Sequence, residues 1–194
     1  MIPKNIIVNN LFHDIMKIVF VLPAVKSPYS VCPEPPLGLA YLAACLLKYR
    51  TDLKIEIIDG FLLNQDEYYN KITNINADII GVSATMSQLG QALMIPHMVN
   101  EKNTKFLIGG PGVANISSYM LYANGYSVIC YGEGERTVVE LVRALENGLP
   151  LENIKGISYR NKDKEVKTPP REPIKNLDEI PFPARDLLDM EKYI

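Results

Sequence analysis

Five short apolar runs, each followed by a loop and then a helical pattern, constrain the fold of this chain more than any other feature. The runs are Lys17 to Pro23, Lys54 to Asp59, Asp78 to Ser83, Lys105 to Gly110 and Ser127 to Tyr131. Continuous β-branched runs of this length are typical of strands that are buried on both faces. Because helical patterns alternate with them, the sequence predicts an α/β fold with a doubly wound sheet of five parallel strands.

The helical patterns between the runs carry ordinary start and stop signals. The predicted helices are Gly38 to Tyr49, Asp66 to Ile75, Gln88 to Glu101, Ser117 to Ala123 and Thr137 to Glu146. Ser87 is a candidate N-cap of the third helix. Pro96 lies inside that helix, where its missing N–H predicts a kink or a break. Asn147-Gly148 is a usual helix stop.

The pattern changes after Pro150. Ile154 to Tyr159 and Glu165 to Thr168 flank a polar turn and predict a β-hairpin. Five prolines between Thr168 and Ala184 predict an extended linker that passes over the domain surface instead of a packed element. We therefore predict an N-terminal extension at residues 1–15, a binding domain at 16–150, a hairpin at 151–168 and a linker at 169–194.

Composition and charge exclude several classes of function. The 194 residues are 47% apolar and carry a formal net charge of -2, so no basic excess favours nucleic acid or an anionic membrane. No apolar run approaches the roughly 20 residues that a membrane span needs. The N-terminus lacks the features of a signal peptide, and the three cysteines have no metal-binding spacing. A cytoplasmic protein is expected, in which Cys45 and Cys130 are small core residues and Cys32 lies in a polar loop.

In an open parallel sheet, ligands bind outside the carboxyl ends of the strands, so the loops there are the candidate sites. The first loop, Ala24 to Leu37, is rich in proline and has neither G-x-G-x-x-G nor G-x-x-x-x-G-K-[ST]. A nicotinamide cofactor and a P-loop nucleotidase are therefore disfavoured. A phosphoacceptor receiver domain needs acidic residues after the first and third strands, and these loops have none.

The remaining loops supply the candidate binding residues. They are Asp59 after the second strand, Ser83, Thr85, Met86 and Ser87 after the third, Gly109, Gly110 and Pro111 after the fourth, and Tyr131, Gly132, Glu133 and Gly134 after the fifth. Small residues let a bulky group approach the backbone. The alternative for the glycines is a pair of tight turns, and for Asp59 it is a cap of the next turn. No residue is a convincing general acid, base or nucleophile, so no catalytic residue is predicted.

Taken in order, these segments resemble the N-terminal cobalamin (vitamin B12)-binding domain of B12-dependent radical S-adenosylmethionine (radical SAM) enzymes. The matching segments are PPLGLAYLAACL from Pro35, IEIIDG ending at Gly60, ADIIGVSATMSQ from Ala77, FLIGGPGVA from Phe106, VICYGEGERTVVELVRAL from Val128, IKGISYR from Ile154 and LDEIPFPARDLLD from Leu177. The resemblance implies a Rossmann-like, flavodoxin-like domain, and it extends from about Met16 to the C-terminus.

The resemblance also implies how cobalamin is held. Its lower-axial base is displaced from cobalt (base-off), and its nucleotide tail lies in a slot lined by Ser83, Thr85, Gly109 and Gly110. Gly132, Glu133 and Gly134 match the turn near the corrin edge. The D-x-H-x-x-G motif that supplies a histidine to cobalt in other B12 domains is absent. His13 and His97 lie outside the five loops, so no histidine ligand is expected, and Met86 and Leu89 are candidates for the residue beneath cobalt.

In this family a radical domain with a C-x-x-x-C-x-x-C motif follows the LDEIPFPARDLLD segment, and the present sequence has no such motif. The 4Fe–4S cluster and S-adenosylmethionine would therefore belong to a separate domain, supplied in cis or in trans. The resemblance implies methyl transfer or a radical rearrangement in the full enzyme. This chain alone is not expected to be catalytic.

Two alternatives to a cobalamin module remain open at this stage. The first is an interaction module that has lost the ligand and docks on a radical partner through the Pro-rich tail. A slot filled by Tyr119, Tyr122 or Tyr131 would favour it. The second is a doubly wound enzyme that acts on a nucleotide or a flavin.

Overall fold

The computed structural model describes residues 15–24, 34–162 and 164–194. Its strands are β1 (Lys17–Leu22), β2 (Lys54–Asp59), β3 (Ile79–Ser83), β4 (Lys105–Gly109), β5 (Val128–Cys130), β6 (Ile157–Asn161) and β7 (Lys164–Lys167). They form one sheet in the order β2-β1-β3-β4-β5-β6-β7. β1 to β5 pair in parallel, which confirms the predicted doubly wound sheet. The hairpin β6-β7 pairs antiparallel with β5 and extends the sheet to seven strands, two more than predicted.

Helices cover both faces of the sheet. They are α1 (Leu37–Tyr49), α2 (Gln65–Thr73), α3 (Leu89–Met98), α4 (Ser118–Ala123) and α5 (Glu135–Asn147). α1 and α5 pack on one face through an apolar core that includes Leu39 and Leu141. α2, α3 and α4 pack on the other face through a second core that includes Ile72 and Ile95. The strands contribute alternate side chains to the two cores, as expected for a sheet buried on both faces.

The third helix begins later than predicted, and Ser87 is not its N-cap. A turn of 3₁₀-helix, Met86–Gln88, precedes α3, and the N-cap of α3, Gln88, makes no side-chain hydrogen bond to the first turn of that helix. The helix ends at Met98 instead of Glu101. The second helix shows the opposite situation, since the Asn64 side chain accepts the Glu67 N–H and the Glu67 carboxylate in turn accepts the Asn64 N–H. A complete capping box thus fixes that start.

Pro96 is accommodated inside α3 without dividing it. A proline cannot donate to the carbonyl four residues earlier, so the Ala92 C=O loses its helical partner. The Tyr126 hydroxyl donates to that oxygen at 2.6 Å, and Tyr126 is buried. The close approach is possible because residue 125 is glycine, where a Cβ would lie 2.9 Å from Pro96 Cβ. The helix therefore tolerates the proline through a neighbour that precedes β5.

The Pro-rich tail follows the surface of α5 and α1, and it is more firmly packed than predicted. Ala184 and Leu188 are buried in the core of the α1–α5 face, and the Ala184 N–H donates to the Ala40 C=O at 3.1 Å. Short 3₁₀ turns interrupt the extended chain at Leu177–Glu179, Arg185–Leu187 and Met190–Tyr193. The sequence did not predict this packing, because the apolar side chains that carry it are irregularly spaced in the tail; they are Ile174, Ala184, Leu187, Leu188 and Met190.

Residues 1–14 of the predicted N-terminal extension, including His13, lie outside the described residues, as do Cys32 and most of the first loop. Within the described ranges, no helix is both long enough and apolar enough to cross a membrane.

Candidate functional site

A cleft opens at the carboxyl edge of the sheet, between the strands and the helices α1 and α5. The strand order reverses between β1 and β3, so the chain leaves these neighbours toward opposite faces, with α1 on one and α3 on the other. Such a switch point leaves a crevice outside the strand ends, which is the usual ligand position in open α/β sheets.

Small residues on three adjacent strands form the floor of the cleft. Gly81 and Ser83 of β3, Gly109 of β4 and Cys130 of β5 line it on the face toward α1 and α5. Because strand side chains alternate, residues two apart point to the same face. On this face the side chains at the carboxyl ends of the three strands are all small. The missing volume leaves a depression in the sheet where an ordinary core would have isoleucine or valine.

Apolar side chains form the remaining walls. They are Phe20 and Leu107 from the strands, Leu39 and Leu42 from α1, and Val138 and Leu141 from α5. The cleft encloses about 160 Å³. A cavity of about 150 Å³ accommodates one benzene ring, so the cleft suits a flat ring and is too small for a whole macrocycle.

The two glycines at the end of β4 are glycine for different structural reasons. Gly110 has φ +95°, and a Cβ there would lie 2.8 Å from the Ala84 carbonyl oxygen, so the turn itself requires glycine. At Gly109 a Cβ would meet Cys130 Cβ at 3.5 Å, an ordinary contact. The fold therefore tolerates a side chain at Gly109, and the open space above it belongs to the cleft.

Backbone contacts interlock the loops at this edge. A Cβ at Gly60 would lie 2.4 Å from the Ala24 nitrogen, which brings together the loops after β1 and β2. A Cβ at Gly112 would lie 2.6 Å from the Thr85 carbonyl carbon, and the Gly112 N–H donates to the Ala84 C=O at 2.8 Å. The loops after β3 and β4 are therefore packed directly against each other.

The predicted residues of the third and fourth loops divide into two groups. Ser83 and Gly110 line the cleft together with Gly109. Thr85, Met86, Ser87 and Pro111 do not line it but lie at the same edge, and all four are exposed. Met86 is 59% exposed, whereas Leu89 is buried in the core of the α2–α4 face. Of the two candidates for the residue beneath cobalt, only Met86 projects from the edge.

In the fifth loop, the two glycines line the cleft and the glutamate between them binds the tail. Gly132, with φ +73°, and Gly134 line the cleft. Glu133 Oε2 accepts the Ile174 N–H at 2.6 Å, which ties the tail to this loop. Tyr131 lies on the opposite face of the sheet, where the Lys167 ammonium stands 4.6 Å from its ring centroid.

Asp59 lies outside the cleft and has two protein partners. Its Oδ1 accepts the Phe61 N–H at 2.9 Å and so caps the turn Gly60–Leu62, as the capping alternative predicts. Its Oδ2 accepts the Tyr193 hydroxyl at 2.6 Å. Burial and the hydrogen bond to Asp59 raise the pKa of the Tyr193 hydroxyl, so this group stays protonated and can act as the donor at neutral pH.

Some residues that line the cleft lie within strands and helices and were not predicted from the sequence; they are Phe20, Leu39, Leu42, Gly81, Leu107, Val138 and Leu141. A signal for Gly81 is present, because glycine in a buried strand marks close backbone approach. Here a Cβ would lie 2.8 Å from the Phe20 ring. Gln88 was not predicted either; it is 2% exposed and forms hydrogen bonds to both Thr85 and Pro23. The spacing T-x-x-Q of a capping box indicates its local role.

Side chains that could bind a metal are widely separated among the described residues. His97 is the single histidine among the described residues, and it lies in the last turn of α3, toward the amino edge of the sheet. Its Nε2 is 3.2 Å from Asn124 Oδ1. The described part of the chain has no group of three or more metal-ligating side chains. Burial raises the pKa of Cys130 to about 12, which keeps this thiol neutral on the cleft floor.

The three tyrosines that would favour a blocked slot all lie elsewhere. Tyr119 is exposed on α4, and Tyr122 is buried on the α2–α4 face, where its hydroxyl bonds to Ser158 Oγ. Tyr131 packs at the margin of the same face. None of them lines the cleft, which is on the other side of the sheet.

Comparison with known sequences places the chain in a family. The family model of the B12 binding domain matches residues 31–142, more than half of the chain. An uncharacterized methyltransferase of Pyrococcus horikoshii is 38% identical over 190 residues, which cover 92% of this chain and 40% of that protein. Anaerobic magnesium-protoporphyrin IX monomethyl ester cyclase of Rubrivivax gelatinosus is 32% identical, with 82% of this chain and 30% of that protein covered. The chain thus spans well under half of either relative.

Solved structures share the fold. The cobalamin-dependent S-adenosylmethionine radical enzyme OxsB with aqua-cobalamin bound superposes with a TM-score of 0.72 at 23% identity, covering 93% of this chain and 26% of that one. The radical S-adenosylmethionine methyltransferase TsrM of Kitasatospora setae, with cobalamin and a 4Fe–4S cluster bound, gives a TM-score of 0.64 at 18% identity, covering 90% and 34%. The α/β architecture and the family match agree, and the chain belongs to the B12-binding domain family.

Proposed function

We propose that this chain binds cobalamin at the carboxyl edge of its sheet, base-off, with the nucleotide tail in the cleft and no histidine on cobalt. The observation that carries the proposal is the floor of the cleft. The protein contacts around residue 109 leave room for a side chain, yet the residue is glycine and the space above it is open. A position that the fold does not require to be glycine, at the centre of a ligand edge, is explained by a ligand group that occupies the space.

The residues present fit this group in size and polarity. The cleft of about 160 Å³ has apolar walls from Phe20, Leu39 and Leu141, and these match a flat aromatic base. The Ser83 hydroxyl and the backbone around Gly110 offer polar partners at its mouth. The corrin would remain outside, between exposed Met86 and the turn Gly132 to Gly134.

The reaction belongs to a larger assembly under this proposal. Cobalamin supplies alkyl transfer or radical chemistry at cobalt, and the domain supplies position and shielding. A radical SAM domain that holds the 4Fe–4S cluster and S-adenosylmethionine would complete the enzyme, in cis or in trans. The curated relatives carry names of a methyltransferase and a cyclase, so the binding domain is compatible with more than one reaction.

A titration with hydroxocobalamin tests the proposal. The purified chain is incubated with the cofactor, desalted and examined by absorption spectroscopy. We expect a retained corrin whose bands lie at base-off positions. A colourless protein fraction at tens of micromolar cofactor, or a retained corrin with base-on bands, would contradict the proposed mode of binding.

Cobinamide, which lacks the nucleotide tail, tests the cleft separately. We expect the wild-type chain to bind it more weakly than cobalamin. Gly109→Ala adds a methyl group above the cleft floor, and overpacking of this kind costs about 1–3 kcal/mol. The variant should therefore lose about tenfold in affinity for cobalamin and little for cobinamide.

Gly90→Ala is the matched control, because a Cβ there meets no atom within 4 Å and the residue is exposed on the other side of the sheet. It should bind both corrinoids like the wild type. If Gly109→Ala weakens the two corrinoids equally, the tail does not occupy the cleft.

A further inference from the structure

Gln88 is a buried polar side chain at the candidate site whose three hydrogen bonds join two separate loops. Its Oε1 accepts the Thr85 N–H at 2.8 Å and the Thr85 hydroxyl at 2.9 Å. Its Nε2 donates to the Pro23 C=O at 2.9 Å. Pro23 immediately follows β1, and Thr85 follows β3, so the amide spans the switch point of the sheet.

The orientation of this amide is determined by its partners. A backbone N–H can only donate and a backbone carbonyl can only accept, so the oxygen must face Thr85 and the nitrogen must face Pro23. Gln88 is 2% exposed, and therefore water does not replace these bonds readily when they are lost. A side chain that supplies both an acceptor and a donor is needed at this position.

The contacts of Thr85 lead from Gln88 to the cleft. The Thr85 carbonyl carbon is so close to Gly112 that a Cβ there would lie 2.6 Å away. The Gly112 N–H donates to the Ala84 C=O, and the Ala84 N–H donates to the Gly109 C=O at 3.0 Å. Pro23, Gln88, Thr85 and the turn after β4 thus form one continuous set of contacts that ends at the cleft floor.

We infer that Gln88 is a positioning residue that couples the end of β1 to the loops after β3 and β4, and that cobalamin binding depends on this coupling. The inference rests on the proposed function for its ligand and on described contacts for its geometry. Gln88 does not line the cleft itself, so it acts through Thr85. Loss of the amide would let the Thr85 loop and its neighbour Gly112 shift relative to β1.

Gln88→Met tests the inference, because methionine has a similar length without a strong donor or acceptor. We expect a loss of at least tenfold in affinity for hydroxocobalamin under conditions where circular dichroism shows a folded protein. Amide exchange followed by NMR should become faster at Thr85 and also at Gly112, even without ligand. The amide of Lys105, which donates to the Asp78 C=O at the opposite edge, should be unchanged.

Thr104→Val is the matched control for loss of a buried polar contact. Thr104 is buried, and its hydroxyl donates to the Ala77 C=O at 2.6 Å at the amino edge of the sheet. The variant loses a buried hydrogen bond far from the cleft, so it should be less stable but bind cobalamin like the wild type. An equal loss of affinity in Thr104→Val would show that general stability governs binding, and would overturn the inference.

Gln88→Glu tests the hydrogen bond that residue 88 donates to Pro23 separately from the bonds that it accepts from Thr85. The protonated acid can donate to Pro23 and accept from Thr85, whereas the carboxylate faces the Pro23 carbonyl without a proton. Burial and that carbonyl favour the neutral acid, and the two Thr85 donors favour the carboxylate. Among the described residues, the Gln88 side chain forms its hydrogen bonds with Thr85 and Pro23, neither of which carries a charge.

We expect the affinity of Gln88→Glu, relative to wild type at the same pH, to recover between pH 8 and pH 5.5. If the variant binds hydroxocobalamin as tightly as the wild type at every pH, the hydrogen bond to Pro23 is not required and that part of the inference is overturned. If the wild-type chain itself does not bind hydroxocobalamin, the proposed function fails, and exchange at Gly112 in Gln88→Met still decides whether the coupling exists. Unchanged exchange there would overturn the coupling.

Discussion

Gly109 and Gly110 are adjacent in the chain and identical in chemistry, yet only one of them is required by the backbone. Gly110 adopts φ +95° and passes close to Ala84, whereas Gly109 lies in ordinary strand conformation with room for a Cβ. The distinction matters because glycine in a strand is about 0.5–1 kcal/mol less stable than alanine. Gly109→Ala should therefore leave stability unchanged or raise it while it reduces binding.

At the same scale, Tyr126 compensates for Pro96. Its hydroxyl is the partner of the Ala92 carbonyl that Pro96 leaves free. Tyr126→Phe should lower the free energy of unfolding by about 1–3 kcal/mol, because it leaves a buried carbonyl without a partner. Urea denaturation followed by circular dichroism measures the change.

A double-mutant cycle with Pro96→Ala provides the control. Alanine at 96 restores an N–H that can bond to Ala92, so Tyr126→Phe should cost less in that background. Equal costs in both backgrounds would show that the tyrosine and the proline are not coupled.

Cys130 gives a prediction about pH. Burial raises its pKa from 9.0 to about 12 in the folded chain. Between these pH values the unfolded chain loses the thiol proton and the folded chain keeps it. The contribution of this thiol to the free energy of unfolding is therefore fully present below pH 9 and is lost as the pH rises. One such group contributes at most about 1.4 kcal/mol per pH unit.

Urea unfolding at pH 8, 9 and 10 should show this decline in the wild type. It should be smaller in Cys130→Ala. Cys45, whose pKa burial also raises, leaves a residual slope in the variant. A decline of the same size in both proteins would assign the effect to other groups.

At the scale of elements, the tail is held to the domain by a few side chains rather than by secondary structure. Arg171 is the strongest of them, because its guanidinium donates to Thr137 Oγ1 at 2.8 Å, to the Glu140 carboxylate and to the Lys155 C=O. Its side chain is only 10% exposed. Beyond it, Glu133 and Asp59 bind Ile174 and Tyr193, so the tail is fixed near both β5 and β2.

Arg171→Ala should lower the free energy of unfolding by about 1–2 kcal/mol, since Glu140 is partly exposed and water screens that ion pair. Hydrogen exchange of residues 169–176 should become faster. Glu172→Ala is the control, because the neighbouring Glu172 pairs with Lys155 on an exposed surface. Its removal should change little, and faster exchange of the same size in both variants would contradict a specific role for Arg171.

At the scale of the whole molecule, cobalamin should stabilise the domain through binding to the folded state alone. Cofactor at 100 times its Kd adds about 2.7 kcal/mol. For a chain of this length that corresponds to a rise in Tm of about 5–10 °C, measured by differential scanning calorimetry. Cobinamide at the same concentration should give a smaller rise, and equal rises would argue against a role for the nucleotide tail.

The sequence predicted the five parallel strands because each is a short, continuous apolar run. Such a run is recognised from neighbouring residues alone and does not depend on tertiary contacts. β2 was predicted to the residue, and each end of β1, β3, β4 and β5 was predicted to within one residue. Helix starts were less accurate, as at α3, where a 3₁₀ turn takes the place of the expected cap. The edge of the sheet at which the candidate residues lie follows from strand direction and could be predicted as well.

The sequence by itself therefore determined the α/β class, the family and the edge where the loops meet. Only the tertiary structure decided which residues share the cleft, because those contacts join distant parts of the chain. Gln88 meets Pro23 across 65 residues, and Asp59 meets Tyr193 across 134. Local patterns encode backbone preference and burial, whereas the space left open above Gly109 depends on how α1, α5 and three strands pack together.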